Sequence, residues 1–113
     1  MNVFEKKLRG NAMTSDRWNK LDIKEQLSNI DGEVRRLVRA RNNYKNGTTK
    51  EDCTMSYVNK IGNLIRLTCE DPKNSKRKDE LIAEENEIGR WLNGEVDDDY
   101  ILRYWAQYTN AIS

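Results

Sequence analysis

The chain contains no histidine, one proline, one phenylalanine and only two cysteines among its 113 residues. Without histidine it can build no imidazole-based catalytic triad, no histidine metal site and no histidine proton shuttle. Cys53 and Cys69 form neither a Cys-x-x-Cys pair nor a disulfide framework. On a single helix their spacing would hold them about 24 Å apart, too far for a bond between them. Reduced thiols in a cytoplasmic protein are therefore expected, each serving as a small packing residue. Asn46-Gly47-Thr48, a glycosylation sequon by pattern, then reads as a turn. No run approaches the ~18 apolar residues of a membrane span, and Met1 to Met13 lacks the long apolar stretch of a secretory signal. No segment alternates like a half-buried strand.

What is present is charge. Lys, Arg, Asp and Glu make up 35% of the chain, the mean hydropathy is −0.98, and only 23 residues are Leu, Ile, Val or Phe. That apolar content lies at the edge of disorder, but disorder also calls for a high net charge, and the net here is +1. A thin core in a single domain spanning residues 1–113 is expected, with residues 1–14 a loosely attached leader. Val3, Phe4 and Leu8 could give that leader a short helix of its own.

The periodicity is helical, and the fold class it predicts is all-α: a compact antiparallel bundle of four helices near 16–45, 50–70, 76–93 and 98–111. In the first, Ile23, Leu27, Ile30, Val34, Leu37, Val38 and Tyr44 share one face, and Asp22 to Glu25 reads as a capping box. Asn46-Gly47 ends it. Thr48 and Thr49 offer caps for the second, whose buried stripe runs through Tyr57, Val58, Ile61, Leu64, Ile65 and Thr68 to a stop at Pro72. Ser75 is the expected cap of the third, with Leu81, Ile82, Ile88 and Leu92 inward and Trp91 at the flank. Asp97-Asp98-Asp99 opens the fourth, whose face carries Ile101, Trp105, Tyr108 and Ile112.

Two charges fall inside apolar stripes. Arg41 lies between Leu37 and Tyr44, and Glu85 between Leu81 and Ile88. Burying either alone would be expensive, which predicts an inward Arg41–Glu85 ion pair joining the first and third helices. Snorkelling to the bundle ends is the competing reading.

Charge is also polarised along the chain. Residues 1–50 hold twelve basic and six acidic groups, a net of +6, and residues 51–113 hold eight and thirteen, a net of −5. Arg35, Arg36 and Arg39 project together from the first helix, where guanidinium forks could grip phosphates or carboxylates. A solvated face is the plainer alternative. Trp91, Tyr100 and Tyr104 are expected to form a half-exposed aromatic edge, the residue types that anchor interfaces. A DNA-reading helix-turn-helix built from the last two helices fails on sign, because its recognition helix would begin with three aspartates.

Glu84 and Glu87 make a Glu-x-x-Glu, and Glu95 and Asp98 a Glu-x-x-Asp. This resembles the magnesium-binding pattern of the all-α nucleoside-triphosphate pyrophosphohydrolases over fewer than twenty residues, with a shorter gap between the halves than that family uses. The resemblance implies a magnesium-dependent nucleotide hydrolase; surface glutamates and a helix-capping cluster account for the same residues more simply. The reading that follows is of a non-enzymatic binding protein of the regulator or inhibitor type, such as mobile genetic elements encode, without metal or cofactor. Its partner would be a protein engaged through the arginine face and the aromatic edge, with self-association open to it. Nucleic-acid binding through the same arginines is the alternative.

Overall fold

The computed structural model describes residues 14–112, and every regular element in that span is helical. They are α1 (Ser15–Trp18), α2 (Ile23–Lys45), α3 (Thr54–Glu70), a 3-10 segment (Pro72–Arg77), α4 (Lys78–Leu92) and α5 (Asp98–Ala111). The four-helix bundle is as expected. The leader helix suggested by Val3, Phe4 and Leu8 lies outside the described residues.

The chain ends its helices where its short polar residues dictate. Asp22 accepts from the Glu25 amide at 2.7 Å while the Glu25 side chain accepts from the Asp22 amide at 3.2 Å, so the capping box forms. Its cap backbone is extended, with ψ at 170°, which no helix running through could supply. The first helix is therefore not continuous from residue 16; a single turn, α1, precedes it. Gly47 and Gly94, at φ +75° and +78°, close α2 and α4 by the same Asn-Gly chemistry. Beyond each, an amide folds back onto the last turn, Thr48 to the Asn43 carbonyl at 2.8 Å and Glu95 to that of Arg90 at 2.9 Å.

Two starts differ from expectation. The second long helix begins at Thr54, not 50, because Asp52 takes the Thr54 amide at 3.0 Å. Ser75 caps nothing. Asp71 caps Lys73 instead, Pro72 occupies the first position of a 3-10 turn, and α4 follows at Lys78. At α5 the aspartates behave as read, with Asp97 accepting from the Tyr100 amide at 2.8 Å.

The contacts form a ring. α2 packs on α3 and α5, and α4 closes the far side against the same two helices. α2 and α4 thus lie on a diagonal. The shared core is Leu27, Ile30, Val34 and Leu37 from α2, Ile61 and Ile65 from α3, Leu81 and Ile88 from α4, and Ile101 and Trp105 from α5, all essentially inaccessible. α4 is turned relative to the sequence reading. Its buried face is Leu81, Glu84, Ile88 and Trp91, whereas Ile82 is 50% exposed and Leu92 only half-buried.

Trp18 completes the core from the single turn of α1. Beneath it lies a polar knot that the sequence reading did not anticipate. Gln26, at 0% exposure, donates to the Trp18 carbonyl at 3.0 Å and to Asp71 at 2.9 Å. Asn74 donates to Gln26 Oε1 at 2.9 Å and to the Thr68 carbonyl at 3.0 Å. Four segments are tied by groups that all find partners, as buried amides must.

Candidate interaction surface

Residues 31–41 of α2 set down two acids and then four arginines, and helical geometry decides which of them meet. Arg35 Nη2 lies 2.9 Å from Asp31 one turn back, and Arg36 Nη1 lies 3.0 Å from Glu33. Both acids are nearly buried while their arginines reach outward. Glu33 also takes Lys60 of α3 at 3.1 Å. Two of the three candidate arginines are thus partly neutralised by their own helix. Arg39 is exposed and makes no hydrogen bond or ion pair among the described residues.

Arg36 and Arg39 line one side of an open groove of about 300 Å³ between α2 and the segment leading into α3. Asn43 continues that side, and Thr49, Glu51, Cys53 and Tyr57 form the other. Guanidinium, amide and hydroxyl donors dominate there against the single carboxylate of Glu51. That donor set suits a carboxylate-bearing segment with an apolar residue to lay against Tyr57.

The aromatic edge is divided. Tyr100 and Tyr104 stack with ring centroids 5.7 Å apart, half-buried on α5, and Arg90 lies 5.9 Å from the Tyr100 ring. Trp91 does not join them, a correction to the expected site. It is 2% exposed, and its indole Nε1 donates to Asp98 at 2.7 Å. The cause is the rotation of α4, which puts position 91 inside and position 92 at the border.

Arg41 and Glu85 do not pair. Arg41 spreads over the Trp91 ring, 4.5 Å from its centroid, and donates to the Trp91 carbonyl at 3.3 Å. Glu85 is exposed on the side of α4 that faces α3. Six residues of helix, about 9 Å, separate it from the position Arg41 reaches, on a different face. The guanidinium is satisfied by a ring face and by the Trp91 carbonyl, which it shares with the Gly94 amide at 3.1 Å, so no carboxylate is needed.

Asp98 fastens this corner. Burial pushes its carboxyl up, but hydrogen bonds from Trp91 and Asn42 and the charge of Arg41 outweigh that and hold it below the usual carboxylate range. Asn42 Nδ2 donates to it at 3.0 Å. Asp98→Ala would strand the buried indole N–H and is expected to cost about 1–3 kcal/mol in urea unfolding at neutral pH. The loss should shrink in acid, because a depressed carboxyl contributes its full stability above its unfolded pKa and loses it as pH falls through the folded one.

The inward acid of α4 is Glu84, which the sequence reading assigned to the surface. It is 4% exposed, its Oε2 has no hydrogen-bond partner among the described residues, and burial with the nearby charges of Glu87 and Glu80 pushes its pKa up to about 8. Its charge also weighs on Tyr104 and Tyr108 of α5. The signal was available: position 84 keeps helical spacing with Leu81, Ile88 and Trp91. The four carboxylates of the pyrophosphohydrolase resemblance are not brought together for a common ion. Glu87 pairs with Arg90, Asp98 is taken by Trp91 and Asn42, and Glu95 sits in the turn before α5. Among the described residues no group of three His, Cys, Asp or Glu side chains is placed to hold a metal ion.

Compared with protein-family models, with curated proteins and with solved structures, the chain matches none. No helix of the described residues is long and apolar enough to cross a membrane.

Proposed function

We propose that this chain is a small non-enzymatic binding protein whose arginine groove takes an acidic segment of a protein partner, in the manner of a regulator or inhibitor. One observation carries the reading: the unpaired guanidinium of Arg39 stands beside that of Arg36 at a groove whose other side offers Tyr57. Nucleic-acid binding fits less well. A phosphate-tracking face needs several uncommitted cations, and here Asp31 and Glu33 already engage Arg35 and Arg36. The stacked Tyr100–Tyr104 pair is a second contact surface. Two free cysteines, one exposed, favour a reducing cytoplasmic setting.

The test is capture from native-host lysate, with and without nuclease, by the wild type and by the Arg36→Gln/Arg39→Gln double variant. A protein recovered equally under both nuclease conditions and weakened about 30-fold by the double variant is expected, the effect of ~2 kcal/mol of charge-assisted hydrogen bonding. Recovery abolished by nuclease, or indifferent to the double variant, would overturn the assignment.

A further inference from the structure

The largest concavity lies away from the arginines. Between α3 and α4 runs an open groove of about 930 Å³. Its walls are mainly apolar, with Val58 and Ile65 on α3 and Leu92 on α4, and Ile82 stands in it at 50% exposure. A Cβ at Gly89 would meet nothing within 4 Å, so the groove is open there. One charge intrudes on the apolar strip. Glu85 leans from α4 toward α3, its carboxylate 3.6 Å from where a Cβ on Gly62 would stand, and it has no cationic partner among the described residues. Arg66, one turn further along α3, holds Glu70 at 3.2 Å instead. An occupant that covers this floor must bring apolar side chains and a cation, or it strands the Glu85 charge.

The chain itself carries such a segment. Residues 1–13 lie outside the described residues and join the fold at Thr14. They hold the only phenylalanine, Phe4, with Leu8 four residues on, a spacing that puts both on one side of a helix or of an extended strand. Lys6, Lys7 and Arg9 against Glu5 give the segment a net charge of +2. Its point of attachment is close to the groove. Thr14 lines a second depression, of about 530 Å³, and Asn63 and Arg66 line both that depression and the groove. Only the thickness of α3, about 10 Å, separates the two. Asn11 to Met13 alone reach about 10 Å when extended, which leaves Val3 to Arg9 for the groove. The nearer depression is a poorer seat. Its carboxylate, Glu33, is already matched by Arg36 and Lys60, and Lys60 and Arg66 on its walls would repel a basic segment.

We infer that residues 3–9 of this chain occupy the groove between α3 and α4, with Phe4 and Leu8 on its apolar strip and their basic neighbours beside Glu85. The apolar contacts supply the attraction, and the charge of the segment answers the one carboxylate it covers. The chain connection at Thr14 keeps the segment at high effective concentration, so contacts too weak to hold a free peptide suffice. The two grooves share no residue, and the arginine groove stays open to its partner.

Because Phe4 is the only phenylalanine, isotope labelling of phenylalanine in the full chain reports on it alone. Nuclear Overhauser contacts from its ring to the methyl groups of Val58, Ile82 and Leu92 are expected, within one molecule and at every protein concentration. Ile82→Asp, at a half-exposed site, should leave helicity intact and abolish them. Glu85→Lys should cut their intensity about fivefold, the effect of one exposed charge contact reversed. Lys6→Glu with Lys7→Glu in that background should restore them, because only a matched pair recovers when both signs change. Ring contacts to Leu64 and Leu67 of the nearer depression, or to neither set of methyls, overturn the inference. So do contacts seen only between differently labelled copies, or contacts indifferent to Ile82→Asp or to Glu85→Lys.

Discussion

Trp18→Ala is expected to remove about 3–5 kcal/mol, a large share of the stability of a domain this size. Two losses combine. The ring is 1% exposed and sits in the main core, so truncation leaves a cavity that α1, a single turn, has no means to refill. The indole Nε1 also donates to Thr68 Oγ1 at 2.9 Å, and that hydroxyl in turn donates to the Leu64 carbonyl at 2.7 Å. Urea unfolding followed by circular dichroism measures the change. Trp18→Phe separates the parts: it keeps most of the volume, loses the donor, and should cost about 1–2 kcal/mol. A Trp18→Ala variant within 1 kcal/mol of wild type would mean that α1 merely leans on the bundle.

The size of that effect rests on the polar knot behind the ring. Asp71 illustrates how tightly it is tied. Burial alone would push its carboxyl up, but hydrogen bonds from the Lys73 ammonium, from Gln26 and from the Lys73 amide hold it below its ordinary range. The Lys73 ammonium reaches on to the Asn19 carbonyl at 3.0 Å, at the end of α1. Removing Trp18 therefore loosens the group that fixes where α3 ends and where the chain turns toward α4.

Much of the architecture was legible because it rests on local rules. The Asp22 capping box, the two Asn-Gly helix ends and the Asp97 cap each depend on residues within one turn of one another, and each forms as read. The stripes of α2 and α3 were legible for a similar reason, since aliphatic residues dominate them; Tyr44, expected on the inward face of α2, is instead 43% exposed in its last turn. α4 was harder. Leu81, Ile82, Ile88, Trp91 and Leu92 spread over about half of the helix circumference, so its rotation is set by which neighbour claims which side. Trp91 won the inside because Asp98 offered its N–H a partner and Arg41 covered its face, both contacts from other helices. With that rotation Glu84 moved in and Glu85 moved out. The Arg41–Glu85 pair failed on the same rotation, which offers Arg41 the ring and carbonyl of Trp91 and turns Glu85 toward α3. At the arginine face, the sequence showed the guanidinium groups but not that Asp31 and Glu33 would be buried beneath two of them.

The buried Glu84 carries the second large expectation, a stability that falls as pH rises. Its carboxyl is wedged between α4 and α5 with Oε2 unpartnered, Glu80 and Glu87 on its own helix, and Tyr104 and Tyr108 facing from α5. Among the described residues no cation answers it from either side. The folded protein holds the proton up to about pH 8, while the unfolded chain releases it near the ordinary glutamate value of 4.5. Below 4.5 both states are protonated and the group is neutral in its effect. Between 4.5 and 8 the folded state carries one more proton than the unfolded, so each rise in pH favours unfolding, and above 8 the loss is complete. Glu84→Gln keeps the shape of the protonated acid and cannot ionise. At pH 5 it should match wild type to within about 1 kcal/mol, and at pH 9 it should be more stable by about 2–3 kcal/mol. Urea titrations of both proteins across that range read the difference directly. Parallel pH profiles for the two would show that Glu84 is ionised and solvated in the folded protein, and that α4 is turned the other way.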